Sequence, residues 1–312
     1  MNELPRLLVV LGPTASGKSE LGIRLAEQLG GEILVCDSTQ VYRHFDIGTA
    51  KVPLAERRGI PHHLIDLVEP GDLFTAGDYR KRALEVLDDL RARRRIPILT
   101  AGTGLYLRAL LEGLADAPPR SEGLRDRLRA GAARHGTAYL HRLLARLDRE
   151  TAQRIAPRDT QKLIRAIEIR VLARKGVADV HREGRIGLQG YDIRKIGLAP
   201  ARPALYSRIE SRVLAMLAAG WSEEVRGLVE SGVPAGSKPF QFIGYAELRA
   251  VIEGSLAQDV AIREIQQSTR RFAKRQMTWF RKESDVEWLA GFGDHPEIQA
   301  AALQIAEAPS HP

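Results

Sequence analysis

A phosphate-binding loop (P-loop) is indicated near the N-terminus, where a short apolar run meets a glycine-rich segment. Residues 12–19 follow the pattern Gly, four residues, Gly-Lys-Ser. They are Gly12, Pro13, Thr14, Ala15, Ser16, Gly17, Lys18 and Ser19. The glycines allow backbone amides to face a phosphate, Lys18 adds a positive charge, and the Ser19 hydroxyl can ligate Mg²⁺. The pattern therefore predicts phosphate binding, but it does not establish nucleotide hydrolysis.

Two further polar residues follow apolar runs that are typical of strands. Asp37 comes directly after residues 33–36, and Thr103 lies in the Ala-Gly-Thr-Gly segment after residues 96–100. A carboxylate at a strand end could act as a general base, support Mg²⁺ through water, or cap a helix. Thr103 could likewise contact a substrate or cap a helix.

The sequence after the third apolar run argues against an ordinary NTPase. Such enzymes usually carry a second carboxylate at the end of a later strand, where it helps to hold Mg²⁺. Here the run 96–100 is followed by small residues, and the nearest carboxylates, Asp37 and Asp66, end other runs. We therefore consider ATP hydrolysis less favoured than another use of the loop.

A parallel sheet would bring these residues together. The apolar run 7–11 precedes the loop, and Leu21, Leu25 and Leu29 follow it at helical spacing. Strands that alternate with helices predict an α/β fold with its site at the carboxyl ends of the strands. We expect a P-loop-containing parallel sheet core flanked by helices.

The middle of the chain has a different character. Residues 115–121 resemble a linker, and the sequence up to about Lys175 is rich in Arg, Leu and Ala with helical periodicity. A strand is predicted near 193–198, and later helices at 208–217, 223–229, 261–281 and within 294–312. We predict three segments: the first part of the core at 1–115, a helical insertion domain at 116–190, and the rest of the core with C-terminal helices at 191–312.

Composition limits the classes of protein that need consideration. The 312 residues carry a formal net charge of +8, which favours polyanionic partners but also fits an ordinary basic surface. The single cysteine, Cys36, excludes an internal disulfide and a multi-cysteine zinc module. No apolar run approaches the roughly 20 residues of a membrane-spanning helix, and residues 1–6 lead directly into a strand pattern. We expect a cytoplasmic protein without a membrane partner.

A basic segment near the C-terminus is a candidate surface for nucleic acid. Residues 269–282 contain six Lys or Arg residues and no Asp or Glu. At 100° per residue, Arg270, Lys274 and Arg281 share one stripe of a helix, whereas the nearly opposite face carries aromatic residues and Gln276. A solvated basic helix would show the same pattern, so both interpretations remain open.

Seven sequence strings, taken together, resemble those of tRNA dimethylallyltransferases. The most restrictive are Asp-Ser-Thr-Gln-Val-Tyr at 37–42 and Thr-Arg-Arg-Phe-Ala-Lys-Arg-Gln at 269–276. The others lie at 12–19, 46–51, 62–66, 102–106 and 243–245. Their order and spacing match over nearly the whole chain.

The resemblance implies a specific reaction. A dimethylallyl group would move from dimethylallyl diphosphate to N6 of the adenosine immediately 3′ of the anticodon, with Mg²⁺ as cofactor. It implies that Asp37 is the general base, that Lys18 and the loop hold the diphosphate, and that Thr103 is catalytic. It also places Arg208 and Arg212 at the departing diphosphate, although a salt-bridged solvent face would explain two arginines four residues apart nearly as well.

The resemblance also implies contacts with the tRNA anticodon stem-loop by a protein that we expect to be a monomer. The implied contact residues are Asp37, Ser38, Thr39, Gln40, Thr103, Arg125, Gln161, Lys162, Leu163, Ile164, Arg165, Phe242, Ile243, Gly244, Tyr245, Ala246, Glu247, Thr269, Arg270, Arg271, Phe272, Ala273, Lys274, Arg275 and Gln276. An adenine amine inside a stacked loop cannot reach an allylic carbon, so we expect the base to be extruded.

Two other functions remain possible on the sequence. A small-molecule kinase could use the same loop, with Asp37 acting as base toward a hydroxyl. That function leaves the string at 269–276 and the basic insertion unexplained. A nucleic-acid-binding module with an inactive loop conflicts with the intact Lys18 and Ser19.

Overall fold

The structure is a computed structural model that describes residues 4–115, 117–182 and 185–309. The chain divides into two compact units. The first combines Met1–Leu110 with Gln189–Pro312, and the second is Leu111–Leu188. This division lies within five residues of the insertion that the sequence predicts at 116–190.

A parallel six-stranded sheet forms the centre of the first unit, in the order β3-β2-β4-β1-β5-β6. The strands are β1 (Arg6–Leu11), β2 (Gly31–Cys36), β3 (His62–His63), β4 (Ile96–Ala101), β5 (Asp192–Leu198) and β6 (Val286–Leu289). The predicted α/β fold is confirmed. The short edge strands β3 and β6 are absent from the sequence-based prediction, because runs of two and four residues have little periodicity.

Helices surround the sheet and form the second unit. They are α1 (Lys18–Leu29), α2 (Ala76–Ala92), α3 (Gly104–Leu111), α4 (Glu122–His135), α5 (Thr137–Leu147), α6 (Arg149–Arg154), α7 (Thr160–Ala173), α8 (Val177–Arg182), α9 (Arg202–Ala218), α10 (Trp221–Glu230), α11 (Tyr245–Ile252), α12 (Gln258–Phe280) and α13 (Pro296–Glu307). None of the helices in the described ranges is long and apolar enough to cross a bilayer.

The central strands explain why the loop at the end of β1 is held firmly. Residues 7–11 of β1 are fully buried, as expected for a parallel strand that is covered on both faces. β1 pairs with β4 on one side and with β5 on the other. The sheet therefore fixes the base of the phosphate-binding loop within the core of the first unit.

Helix α2 was missed by the sequence-based prediction despite a recognisable pattern. Its buried residues Tyr79, Ala83, Leu87 and Leu90 recur at helical spacing. Thr75 begins the helix with a capping box, in which its hydroxyl accepts from the Asp78 amide and Asp78 accepts from the Thr75 amide. The many charged residues between the apolar positions obscured the stripe.

The second unit has its own apolar core, formed by helices α4 to α7, and this core contains a buried ion pair. Arg125 donates two hydrogen bonds to Glu168, at 2.8 and 2.7 Å, and only 6% of its surface is exposed. Burial alone would raise the pKa of Glu168, but hydrogen bonds from Arg125, the Ser121 amide and Arg165 hold it down to about 2. The geometry gives Arg125 a structural role inside this unit.

Replacing Arg125 with alanine should therefore destabilise the second unit. Removing one partner of a buried ion pair leaves a poorly compensated charge and costs about 3 kcal/mol. Urea unfolding of the variant would measure the loss, with Arg129→Ala on the exposed face of α4 as the control. Unchanged stability together with weaker tRNA binding would instead make Arg125 an RNA contact.

Candidate active site

The phosphate-binding loop connects β1 to α1, and its conformation depends on glycine. Gly17 has φ of 86°, a left-handed conformation, at the N-cap of α1. A Cβ atom at Gly17 would lie 2.8 Å from the Gly293 amide nitrogen, closer than real Cβ contacts. The Ser16 amide and the Lys18 ammonium both donate to the Pro13 carbonyl, at 3.2 and 2.8 Å. The loop is thus preformed as an anion site at a helix N-terminus.

Cationic side chains gather at this loop. Burial lowers the pKa of Lys18 to about 7, with Asp37 opposing the shift and Arg212 adding to it. Burial and the neighbouring Arg208 lower the pKa of Arg212 as well. Arg212 forms no ion pair with any described residue, whereas Arg208 makes a bidentate pair with Asp294, at 2.8 and 2.7 Å. The predicted diphosphate ligands thus lie close enough to interact electrostatically, Lys18 with Arg212 and Arg212 with Arg208.

The lowered pKa of Lys18 predicts proton uptake when a diphosphate binds. A pKa of about 7 would leave Lys18 largely neutral at pH 8 in the free protein, and a bound anion would favour the charged form. Binding should then take up a proton at pH 8 but not at pH 5.5, where Lys18 is already charged. Calorimetry in two buffers of different ionisation enthalpy would measure the uptake.

Lys18→Arg is the matched control for this experiment, because its guanidinium does not titrate in the accessible range. Protons that the diphosphate itself releases contribute equally to both proteins. The same pH-dependent uptake in the variant and in the wild type would contradict the assignment to Lys18.

Asp37 and Thr103 lie at the ends of the adjacent strands β2 and β4. The Thr103 hydroxyl accepts from the Ser38 amide at 2.9 Å, and so ties the two strand ends together. Thr39 donates from its amide and its hydroxyl to Asp37 Oδ1, at 2.8 and 2.7 Å. Asp37 Oδ2 accepts no hydrogen bond from the described residues and lies against Gly102, where a Cβ would come within 2.3 Å of it. One carboxylate oxygen is therefore positioned and the other is available.

The segment after Asp37 is supported by side chains that the sequence assigned to tRNA. Gln40 Nε2 donates to the Thr49 carbonyl at 2.9 Å. Glu224 accepts from the amides of Asp46 and Ile47, at 2.9 and 2.7 Å, and from the Tyr245 hydroxyl at 2.6 Å. The side chains of Gln40 and Tyr245 thus stabilise this loop, and their contact with tRNA stays a prediction.

Helix α12 differs at one position from the basic stripe that the sequence predicts. Arg270 is half-buried and pairs with Glu210 on α9, so it does not lie on a free stripe. The other two members of the predicted stripe, Lys274 and Arg281, are exposed, and Arg271 and Arg275 are exposed as well. Ala273 and Gln276 are buried, because they lie on the side of α12 that faces the core. A helical wheel of α12 alone could not show the partial burial of Arg270, because its partner Glu210 lies on another helix, α9.

The remaining predicted tRNA residues fall into two groups. Some serve packing or capping within the second unit, where Leu163 and Ile164 are in the core and Arg165 donates to Glu168. In the first unit, Phe242 packs on Tyr42 and Phe272 lies beneath Arg275. There the Gly244 amide donates to Glu247 and the Thr269 hydroxyl donates to the Ile265 carbonyl. Others are at least partly exposed: Ser38, Gln161, Lys162, Ile243 and Ala246. The second group offers the more accessible surface.

The oxygen donors near the loop suit magnesium better than a transition metal. The described residues contain no cluster of three or more His, Cys, Asp or Glu that could hold a metal ion alone. Ser19 is exposed in the first turn of α1, and Asp37 interacts electrostatically with the adjacent residue, Lys18. Mg²⁺ typically takes a few hard oxygen ligands and completes its shell with water and substrate phosphates. The donor set therefore fits Mg²⁺.

Fold and site define the class of protein: a P-loop α/β protein with a carboxylate beside its anion site. The chain belongs to the IPP transferase family, which matches residues 40–283. It is 50% identical to the tRNA dimethylallyltransferase of Solibacter usitatus over 95% of this chain and 96% of that protein.

Solved structures agree with this assignment. The tRNA delta(2)-isopentenylpyrophosphate transferase of Staphylococcus epidermidis is 37% identical, with a TM-score of 0.67 over 96% of this chain and 97% of that one. A eukaryotic dimethylallyltransferase acting on tRNA is 27% identical, with a TM-score of 0.80 over 92% of this chain and 74% of that one. The relatives give no support to the kinase alternative.

Proposed function

We propose that this protein is a tRNA dimethylallyltransferase. It transfers the dimethylallyl group of dimethylallyl diphosphate to N6 of the adenosine immediately 3′ of the anticodon, giving N6-(dimethylallyl)adenosine and diphosphate. The observation that carries the proposal is the available Oδ2 of Asp37 at the same sheet edge as Lys18 and the phosphate-binding loop.

In the proposed reaction the adenine amine attacks the allylic carbon while the carbon–oxygen bond to the diphosphate breaks. The departing diphosphate gains negative charge, which Lys18, Arg212 and the loop amides are placed to stabilise. The amine nitrogen becomes positively charged as its new bond forms, and Asp37 Oδ2 accepts its proton. Thr39 holds the other carboxylate oxygen, so the base keeps its orientation.

Magnesium is part of this proposal. The Ser19 hydroxyl, with diphosphate oxygens and water, would hold the ion, which would neutralise part of the diphosphate charge. The phosphate-binding loop binds and orients the diphosphate through its own residues, whether or not Mg²⁺ is bound.

The proposed macromolecular partner is the tRNA anticodon stem-loop, and the exposed cations of α12 support this choice. Arg271 and Lys274 form no ion pair with any described residue, so both are available to phosphates. We propose a cytoplasmic, monomeric enzyme that binds its tRNA partly through this face.

A transfer assay tests the proposed function directly. The protein is incubated with isotope-labelled dimethylallyl diphosphate and Mg²⁺, with and without unmodified tRNA, and in parallel with labelled ATP. Label should move to tRNA only from the dimethylallyl donor. Rapid tRNA-stimulated hydrolysis of ATP without prenyl transfer would refute the proposal.

The exposed face of α12 gives a prediction about salt dependence. Replacing Arg271 and Lys274 with alanine should weaken tRNA binding and reduce the magnitude of the slope of log K against log salt, by about 0.7–0.9 per lost phosphate contact. Arg263→Ala is the control, since Arg263 lies on the same helix but pairs with Asp259 at 2.8 Å. An unchanged slope in the double variant would assign these cations to solvent.

A further inference from the structure

Gln276 of α12 bridges two loops that are far apart in the sequence. Its Oε1 accepts from the Thr14 amide of the phosphate-binding loop at 2.7 Å. Its Nε2 donates to the Gly102 carbonyl at the end of β4, also at 2.7 Å. The side chain is 6% exposed; its bond to Gly102 is buried and its bond to Thr14 is partly buried. Both ends of the amide are therefore used within the protein.

The two anchor points belong to different parts of the site. Thr14 is in the loop that binds the diphosphate, whereas Gly102 lies against the Asp37 carboxylate and directly precedes Thr103. A change in the distance between these loops would move the proton acceptor relative to the leaving group. Displacements of about 1 Å can lower the rate of a positioned reaction by roughly 10²-fold.

Other residues of α12 contact the same two loops. Trp279, one turn further along the helix, packs against Gly104, where a Cβ would lie 2.1 Å from the indole ring. Ala273, one turn earlier, is 1% exposed and packs with Ala15 of the loop. The buried face of α12 thus contacts both loops, with the Gln276 amide as its polar link.

We propose that Gln276 is a positioning residue rather than a tRNA contact. It fixes the spacing between the phosphate-binding loop and the strand ends that carry Asp37 and Thr103. The proposal rests on the proposed transferase function for its kinetic consequences. Its structural basis is the planar side-chain amide of Gln276, which accepts from the Thr14 amide and donates to the Gly102 carbonyl.

Gln276→Met tests the bridge with a side chain of similar size that makes neither bond. Single-turnover transfer at saturating substrates should fall at least about 10-fold, while the Kd for tRNA stays within about twofold. Arg263→Met, at an exposed position of the same helix where Arg263 pairs with Asp259, should leave both the saturating rate and the Kd for tRNA near the wild-type values. A wild-type rate with weakened tRNA binding in Gln276→Met would overturn the proposal.

Gln276→Glu separates positioning from a general packing defect. A protonated carboxyl can accept from the Thr14 amide and donate to the Gly102 carbonyl, whereas the carboxylate loses the second bond. The variant's rate relative to wild type should therefore rise as pH falls, because burial raises the pKa of a carboxyl. A relative rate that does not change with pH would contradict a role for the bridge.

Binding of inorganic diphosphate with Mg²⁺ provides a readout that does not depend on prenyl transfer. Gln276→Met should weaken it by about 3- to 10-fold, since the loop is less preorganised. If the wild type binds diphosphate but transfers no prenyl group, the transferase function fails and the bridge is still tested. Unchanged diphosphate affinity and unchanged rate would refute the bridge alone.

Discussion

Replacing Lys18 with alanine is expected to lower single-turnover prenyl transfer by at least about 10²–10³-fold, the usual cost of losing one preorganised donor at developing charge. The ammonium group faces the loop from the first residue of α1 and interacts electrostatically with Asp37 and Arg212. Its charge is most useful when the carbon–oxygen bond breaks, so the rate should suffer more than substrate binding. Rapid-quench measurements with saturating tRNA would determine the change.

Arg24→Ala is a matched control for Lys18→Ala, because Arg24 is an exposed cation on the same helix, α1. It should transfer at the wild-type rate. Thermal unfolding should be similar for all three proteins. Near-normal transfer by Lys18→Ala would show that the loop does not activate the diphosphate.

Replacing Asp37 with asparagine should slow single-turnover transfer by about 10²–10⁴-fold, the typical contribution of a positioned general base. Asparagine keeps the shape and can still accept from Thr39, but it cannot take up a proton. Binding of tRNA and of diphosphate should stay within a few-fold. The adenine amine is a weak nucleophile because its lone pair is delocalised into the ring, so proton removal should matter.

Two Thr39 variants refine the test of Asp37. Thr39→Ser keeps the hydroxyl that donates to Asp37 Oδ1, and Thr39→Val removes it. The serine variant should be nearly as fast as wild type, and the valine variant slower than the serine variant but faster than Asp37→Asn. If Asp37→Asn transfers at the wild-type rate, another group or water accepts the proton. A parallel loss of diphosphate binding would point to a role in holding magnesium.

The sequence predicted those parts of the site that lie within single motifs. The loop at 12–19, Asp37 and Thr103 each follow an apolar run, and parallel strands place their carboxyl ends at one edge. The fold class followed from the same alternation. These features depend on neighbouring residues, which a sequence shows directly.

Roles that depend on long-range partners were not predictable. The bridge of Gln276 joins residues that are 262 and 174 positions away. Arg270 was placed on a free stripe because its partner, Glu210, lies 60 residues earlier. Arg125 offered a weak clue, since its partner Glu168 interrupts an apolar stripe of α7, where a lone carboxylate requires a compensating charge.

The position of β1 in the sheet has a consequence for how the protein folds during synthesis. β1 is made first, yet one of its two neighbours is β5, and Gly12 lies against Leu198 at the end of that strand. At about 5–20 residues per second, a ribosome needs on the order of ten seconds or more to reach β5. The helices of the second unit are complete before then and rely on local contacts, which form fast. A nascent chain that ends before β5 would therefore leave β1 without one of its two neighbours, and the phosphate-binding loop would lack the strand that completes it.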